Sequence, residues 1–230
     1  MTQETLQKKL ITAFEGNKGT ILKHSTPYVG ELREKAFSVF KDIGFPGKNM
    51  EDWKQTDLSN ALSKDFKQII EPSPGDRDIN KIFRCKIHDF DTDQVSLLNG
   101  WYITEGKSLQ KTSEGVIIGS LAQAMLEYPE LFEKHFGKYA EFDKNGFQAL
   151  NTAFAMDGFF MYIPDGVEVD KPIQMISIIN YDLDLFVQTR NLIIMGRNSK
   201  LSLVHCDDST NQQAILKNSI NEIFIDEGAR

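Results

Sequence analysis

Apolar residues near the start of the chain recur at helical spacing. Leu6, Leu10 and Phe14 fall four residues apart, and Leu32, Ala36, Val39, Phe40 and Ile43 form a wider stripe that stops at Gly44 and Pro46. Both patterns predict amphipathic helices laid on a core, the second closed by a glycine just past its end. Gly44, Pro46 and Gly47 make a loop, and "MEDWKQTDLSNAL" restarts order behind it. The stretch "EPSPGDRD" at 71–78 combines two prolines, a glycine and four charges, and reads as a linker. Beyond it, "VSLLNGWYI" and "GVIIGSL" read as strands, the first carrying an Asn-Gly turn signal. Ser120 and Gln123 fit a capping box that opens the helix-forming run "LAQAMLEY", and Pro129 suits the first turn of another helix.

From Asn145 onward the texture changes to strands and turns. "GFFMYIPDGVEVDKPIQMISIIN", "NLIIMGRNSKLSLVHC" and "NEIFIDEGAR" place turns at Gly166, Asn198 and Gly228, about thirty residues apart, a period at which stacked strand units build a solenoid. Leu201 and Leu203 in one unit and Ile223 and Ile225 in the next are expected to point inward and lie above one another. The fold class expected is therefore α+β, a helical N-terminal region followed by the first rungs of a β-helix (β-solenoid). Its divisions are 1–75 helical, 76–145 mixed α/β and connecting, and 146–230 the start of the β-helix core. "DEGAR" stops at a turn, which predicts a truncated solenoid with an open apolar end and self-association through it.

Composition narrows the function classes. The chain has 230 residues, 40% hydrophobic and 26% charged, enough for a buried core. A formal charge of -7 with no basic block argues against nucleic acid as a partner. The longest apolar runs are too short and interrupted to span a bilayer, and "MTQETLQKKL" lacks the apolar core of a signal peptide, so a cytoplasmic protein is expected. Cys85 and Cys206 are the only cysteines, without the CxxC or Cys/His spacing of a zinc site or a disulfide framework.

Few residues then remain for chemistry. Glu51 and Asp52 are adjacent and would not share a helix face, which makes them a poor acid/base pair, and Trp53 beside them reads as a packing anchor. His135 among Leu131, Phe132 and Phe136 reads as a surface or core residue of its helix. Cys206 is a candidate metal ligand, as a soft thiolate for iron, or an acceptor of sulfur. If its strand continues through "LVHCDD", His205 shares parity with Leu201 and Leu203 while Cys206 points the other way, so the two cannot grip one metal. Asp207 and Asp208 suggest an alternative, a β-helix carbohydrate-active enzyme, which neighbours on opposite strand faces serve badly. A protein-interaction module without a metal role is the other alternative.

Three stretches together carry a resemblance. "GFPGKNMEDWKQTDLS", "FQALNTAFAMDGFFMYIPDGVEVDKPIQM" and "TRNLIIMGRNSKLSLVHCDDS", in that order, resemble the N-terminal motif, the entry into the β-helix core and the following rungs of the SufD family. The resemblance implies a non-enzymatic scaffold subunit of the SufBCD complex for iron-sulfur cluster assembly, acting with SufB and the SufC ATPase. The chain has no GxxxxGK[ST] loop to hold nucleotide phosphates. In the family, the SufB and SufC contacts and a cluster-linked histidine lie in the C-terminal part, beyond Arg230. The resemblance therefore places no cofactor in this chain, the cluster being handled by the complex. The sister subunit SufB carries a cysteine in a strand-end context locally similar to that of Cys206, whereas SufD members do not generally rely on one.

Overall fold

The computed structural model describes residues 5–72, 91–104 and 106–230. Most of the linker at 71–78 and Cys85 lie outside the described residues. The architecture is α+β, N-terminal helices followed by two sheets. Among the described residues no helix is long and apolar enough to cross a membrane.

Helix α1 spans Leu6–Lys23 and α2 spans Pro27–Ile43, each started by a threonine: Thr5 accepts from Lys8 N and Thr26 from Val29 N. Pro27 sits at the first turn of α2, where its missing N–H costs nothing. Leu6, Leu10 and Phe14 are buried as expected, with Phe37 stacked on Phe14 at 3.9 Å between ring centroids. The stripe of α2 is rotated from the expected one. Arg33 and Phe37 are buried in it, while Ile43 is 45% exposed at its end. The helix stops at Gly44 with φ 64, and a Cβ there would meet the Gln7 amide at 2.6 Å.

Next come a 3-10 turn Glu51–Trp53 and a short α3, Ser59–Leu62. Trp53 is half-buried, its ring 5.6 Å from that of Phe147, so it caps the core edge and does not anchor it from within. Glu51 and Asp52 are exposed, and Glu51 pairs with Lys54.

Helices α4 (Leu121–Glu127), α5 (Pro129–His135) and α6 (Gly146–Phe154) follow. The Ser120 hydroxyl accepts from Gln123 N at 3.1 Å, as the capping signal predicts, but the Gln123 side chain turns forward to Glu127 and leaves the box half made. Helix α6 corrects the reading of the chain after Asn145 as strands and turns only. Asn145 caps it, and Gly146 lies so close to α2 that a Cβ would stand 1.7 Å from Gly44 O. Residues Ala149 to Phe154 are all buried, Asn151 and Thr152 included, and Phe147, Leu150 and Phe154 keep helical spacing, so a short helical signal was present in the sequence. Arg33 explains its own burial here. It donates from Nη1 to Ala153 O (3.0 Å) and from Nη2 to Ala155 O (2.7 Å), filling carbonyls that the end of α6 leaves open.

The strands are β1 Asp93–Leu98, β2 Trp101–Ile103, β3 Leu109–Lys111, β4 Ile117–Ser120, β5 Phe159–Ile163, β6 Ile173–Ile179, β7 Leu185–Met195, β8 Leu203–Ser209 and β9 Ile215–Ile225. They form one sheet of order β2-β1-β6-β8 and another of order β3-β4-β5-β7-β9. The β1-β2 hairpin turns on Asn99 (φ 51) and Gly100 (φ 89), the left-handed pair that an Asn-Gly loop supplies. Strands from both sides of Asn145 share the sheets: β1 pairs with β6 and β4 with β5.

The later pairs β5-β7, β6-β8 and β7-β9 are all parallel. Asn191 Nδ2 donates to Asn221 Oδ1 at 2.7 Å across a chain separation of 30 residues, and turns stack likewise, Gly166 N on Arg197 O and Asn198 N on Glu227 O. Gly166, Asn198 and Gly228 all have positive φ, which is why glycine and asparagine mark these turns. The expected superposition needs one correction. Leu203 lies on Ile173, whereas Ile223 lies on Ile193 and Ile225 on Met195. The two apolar pairs belong to different sheets, because each repeat contains two strands.

Between the sheets, Phe159, Met161 and Ile163 meet Ile173, Met175, Ile193 and Met195. On the other side of the five-stranded sheet, Phe160, Leu192 and Ile194 pack under Leu121, Met125, Phe132 and Phe136. Among the described residues β8 and β9 are edge strands, and Ile223 and Ile225 are 47% and 58% exposed.

Candidate functional site

Strand β8 carries His205, Cys206, Asp207 and Asp208 in succession, so alternate side chains take opposite faces. Register fixes which face is which. His205 lies on Met175 and Asp207 on Ser177, in line with the residues between the sheets, while Cys206 lies on Ile176 and faces outward. The separation of His205 from Cys206 expected from parity is what the strand displays.

On the inner side, Asp207 forms a cluster with a residue from the other sheet. Lys217 of β9, stacked on Val187, reaches Asp207 Oδ1 and donates to Ser177 Oγ at 3.0 Å. His205 Nε2 stands 3.3 Å from the same Asp207 oxygen. Burial would raise the Asp207 carboxyl, but the hydrogen bond and charge of Lys217 outweigh it and hold the group below its ordinary value. His205 is pushed down, first by burial and also by the Lys217 charge, against the pull of Asp207. The imidazole beside this ion pair is biased toward its neutral form.

On the outer side, Gln174 Nε2 donates to Cys206 Sγ at 3.4 Å. Gln174 is itself buried, and its Oε1 accepts from Thr92 Oγ1 at 3.0 Å and Gln94 Nε2 at 3.2 Å. One half-buried thiol with one amide donor can present a single sulfur; it is not a chelate. Among the described residues no group of three His, Cys, Asp or Glu side chains could hold a metal ion. Asp207 and Asp208 diverge, Asp207 to Lys217 and Asp208 to the amide of Ser209 at 2.8 Å, so they make no acid/base pair.

His135 is a core residue, 3% exposed, with Nδ1 2.6 Å from the Tyr139 hydroxyl and its ring 4.6 Å from Phe224. Two charged groups that the sequence reading passed over are more deeply placed. Arg190 and Glu222, on neighbouring strands β7 and β9, pair at 2.8 Å with both side chains fully buried. Glu222 also accepts from Gly137 N and Tyr139 N, each at 3.0 Å, and thereby ties the turn after α5 to the sheet. Asp157 is buried too, accepting from Tyr102 N, Ser120 Oγ and Ala122 N; burial raises its carboxyl. For Lys217, a charged residue at inward parity in "AILKNSI" was the available signal.

The description "SufBD protein N-terminal region" matches residues 4–175. Among curated proteins, the chain is 29% identical over 197 residues to an iron-sulfur cluster assembly SufBD family protein of Trieres chinensis, covering 78% of this chain and 39% of that one. It is 22% identical over 207 residues to a protein of the same description from Synechocystis, covering 86% and 45%. The iron-sulfur cluster assembly protein SufB of Bacillus subtilis is 28% identical over 117 residues, covering 50% and 25%. The chain thus spans less than half the length of these relatives. With three quarters of its residues inside the matched region, and helices and sheets in the order described, the chain belongs to the SufBD family.

Proposed function

We propose that this chain serves as a SufD-like structural subunit in iron-sulfur cluster assembly, working in the cytoplasm with SufB and the SufC ATPase, its parallel strands stacking as turns of a β-helix. The observation that carries this reading is the family match over residues 4–175, continued by strands that repeat in register at about thirty residues. A subunit of this kind contributes a rigid platform and no bond-making step of its own, which agrees with the absence of a phosphate-binding loop from the sequence. The single outward thiol of Cys206 supports at most the receipt of one sulfur or one iron bond, with a structural role for the residue as the simpler reading. The divergence of Asp207 and Asp208 weighs against a carbohydrate-active enzyme.

Anaerobic purification of the native protein from its own cells tests the proposal. SufB and SufC are expected to co-purify, and ATP hydrolysis should follow the SufC content of the fractions. Purification free of both partners, with release of sugar from a polysaccharide, would replace this reading with the enzymatic one.

A further inference from the structure

We propose that the cavity between the β1-β2 hairpin and α4 binds a neutral small molecule with an apolar body and a carbonyl oxygen at one end. The cavity measures about 550 Å³, and Ile70, Leu98, Trp101, Ile103, Leu126 and Met156 supply its apolar wall. That volume falls within the roughly 300 to 1,000 Å³ usual for small-molecule sites. Adjoining it is a small recess of about 10 Å³, walled by Ile70, Asn99, Trp101, Met156 and Asp157 in common with the larger one. It has room for one oxygen-sized atom.

Two amides line this inner space. The Nε2 atoms of Gln68 and Gln188 are both buried and, among the described residues, without a hydrogen-bond partner. Gln188 is 8% exposed, and its Oε1 already accepts from Asn218 Nδ2 at 2.8 Å, which fixes the amide so that Nε2 is the end left over. Dry amide donors are costly, each by about 1 to 3 kcal/mol, unless an acceptor arrives. Among the described residues the Asp157 carboxylate in the same wall is turned to other donors, Tyr102 N, Ser120 Oγ and Ala122 N. Two carboxyl groups, Asp157 and Glu71, already line the walls, so a ligand carboxylate finds no counter-charge in them. A carbonyl oxygen entering this space accepts from such an amide, Gln188 Nε2 first, without adding charge. The inference is independent of the assembly role proposed above.

Prodan, a propionyl-dimethylaminonaphthalene whose emission shifts to the blue in apolar surroundings, has this chemistry. In the Trp53→Phe chain, Trp101 is the only tryptophan and lies in the cavity wall. Titration with prodan is expected to quench Trp101 saturably and shift the dye to the blue. Gln188→Met should weaken binding about fivefold to tenfold, the worth of a lost hydrogen bond. The Asn218 amide stays bonded to Phe147 O in that variant, so melting should change little. Leu126→Glu, at a residue 52% exposed and therefore tolerant, should weaken binding at least as much. A naphthalene analogue without the propionyl group should bind more weakly and be indifferent to Gln188→Met. Absence of saturable quenching, equal affinity in Leu126→Glu, or equal sensitivity of both dyes to Gln188→Met would overturn the proposal.

Discussion

Glu222 offers the sharpest test of how the helical layer is held to the sheet. Its side chain is fully buried, and its carboxylate accepts from three N–H groups, Arg190 Nε at 2.9 Å, Gly137 N and Tyr139 N, with Arg190 Nη2 a further ion-pair contact at 2.8 Å. Glu222→Met keeps the volume and deletes every acceptor. Arg190 then remains buried with only the Thr152 hydroxyl at 2.7 Å and the Phe136 ring at 4.8 Å for compensation. Removing one member of a buried ion pair costs about 3 to 5 kcal/mol. The two amides would add about 1 to 3 kcal/mol each if they stayed dry, but their turn can swing outward and hydrate, so about 4 to 6 kcal/mol is expected in all. Against a usual total of about 5 to 15 kcal/mol, the loss removes from about a third of the stability to nearly all of it.

Urea titration followed by far-ultraviolet circular dichroism measures the loss through the midpoint. The decisive comparison is the double variant Arg190→Met/Glu222→Met. With no charge left unpaired, it should lose at least about 2 kcal/mol less than the sum of the two single losses. A Glu222→Met cost under about 1 kcal/mol, or strict additivity of the pair, would refute the reasoning.

Four further outcomes are expected. Trp53→Ala should cost about 2 kcal/mol in the same titration, below the roughly 3 to 5 kcal/mol of a fully buried aromatic, because the ring is half-buried against Phe147. Anaerobic reconstitution with iron and sulfide should leave no stoichiometric cluster on the chain; visible absorption lost in Cys206→Ser would contradict this. Burial lowers both His135 and His205 below the ordinary 6.5, so protons taken up by the unfolded chain alone should reduce stability as pH falls from about 6.5 through the lower folded values. His135→Gln should flatten that slope between about pH 7 and pH 5, and an unchanged slope would count against it. Produced alone, the 230-residue chain should self-associate through the β8 and β9 edges and the exposed Ile223 and Ile225, which sedimentation would contradict by finding a monomer at every concentration.

What could be read from sequence was local. The Asn99-Gly100 hairpin, the cap at Ser120 and the turns at Gly166, Asn198 and Gly228 were legible because each depends on a side chain or a positive φ within a few residues. Helix α6 was legible only in part: Phe147, Leu150 and Phe154 keep helical spacing, but the signal is nine residues long and runs directly into strands. Arg33 was hidden because its burial makes sense only beside the carbonyls of Ala153 and Ala155, more than a hundred residues away. The stacking order failed because a period of about thirty holds two strands, one for each sheet, and hydrophobicity alone does not assign them.

The same distinction governs the candidate site. That His205 and Cys206 face apart follows from the two-residue period of any strand, so it was readable from "LVHC". Their partners depend on long-range register: Lys217 reaches Asp207 from the opposite sheet, and Gln174 meets Cys206 from the adjoining strand. Register therefore divides the chemistry of β8 between two environments. The charged cluster lies in line with the residues between the sheets, where Lys217 pairs with Asp207 and burial biases His205 toward its neutral form. The thiol lies on the far side of the same strand, over the polar row of Thr92, Gln94 and Gln174. No proton or ligand can be shared between the two without breaking the strand. The Cys206 thiol is thus set apart from the Asp207–Lys217 pair by the strand itself, with Gln174 as its one hydrogen-bond partner among the described residues.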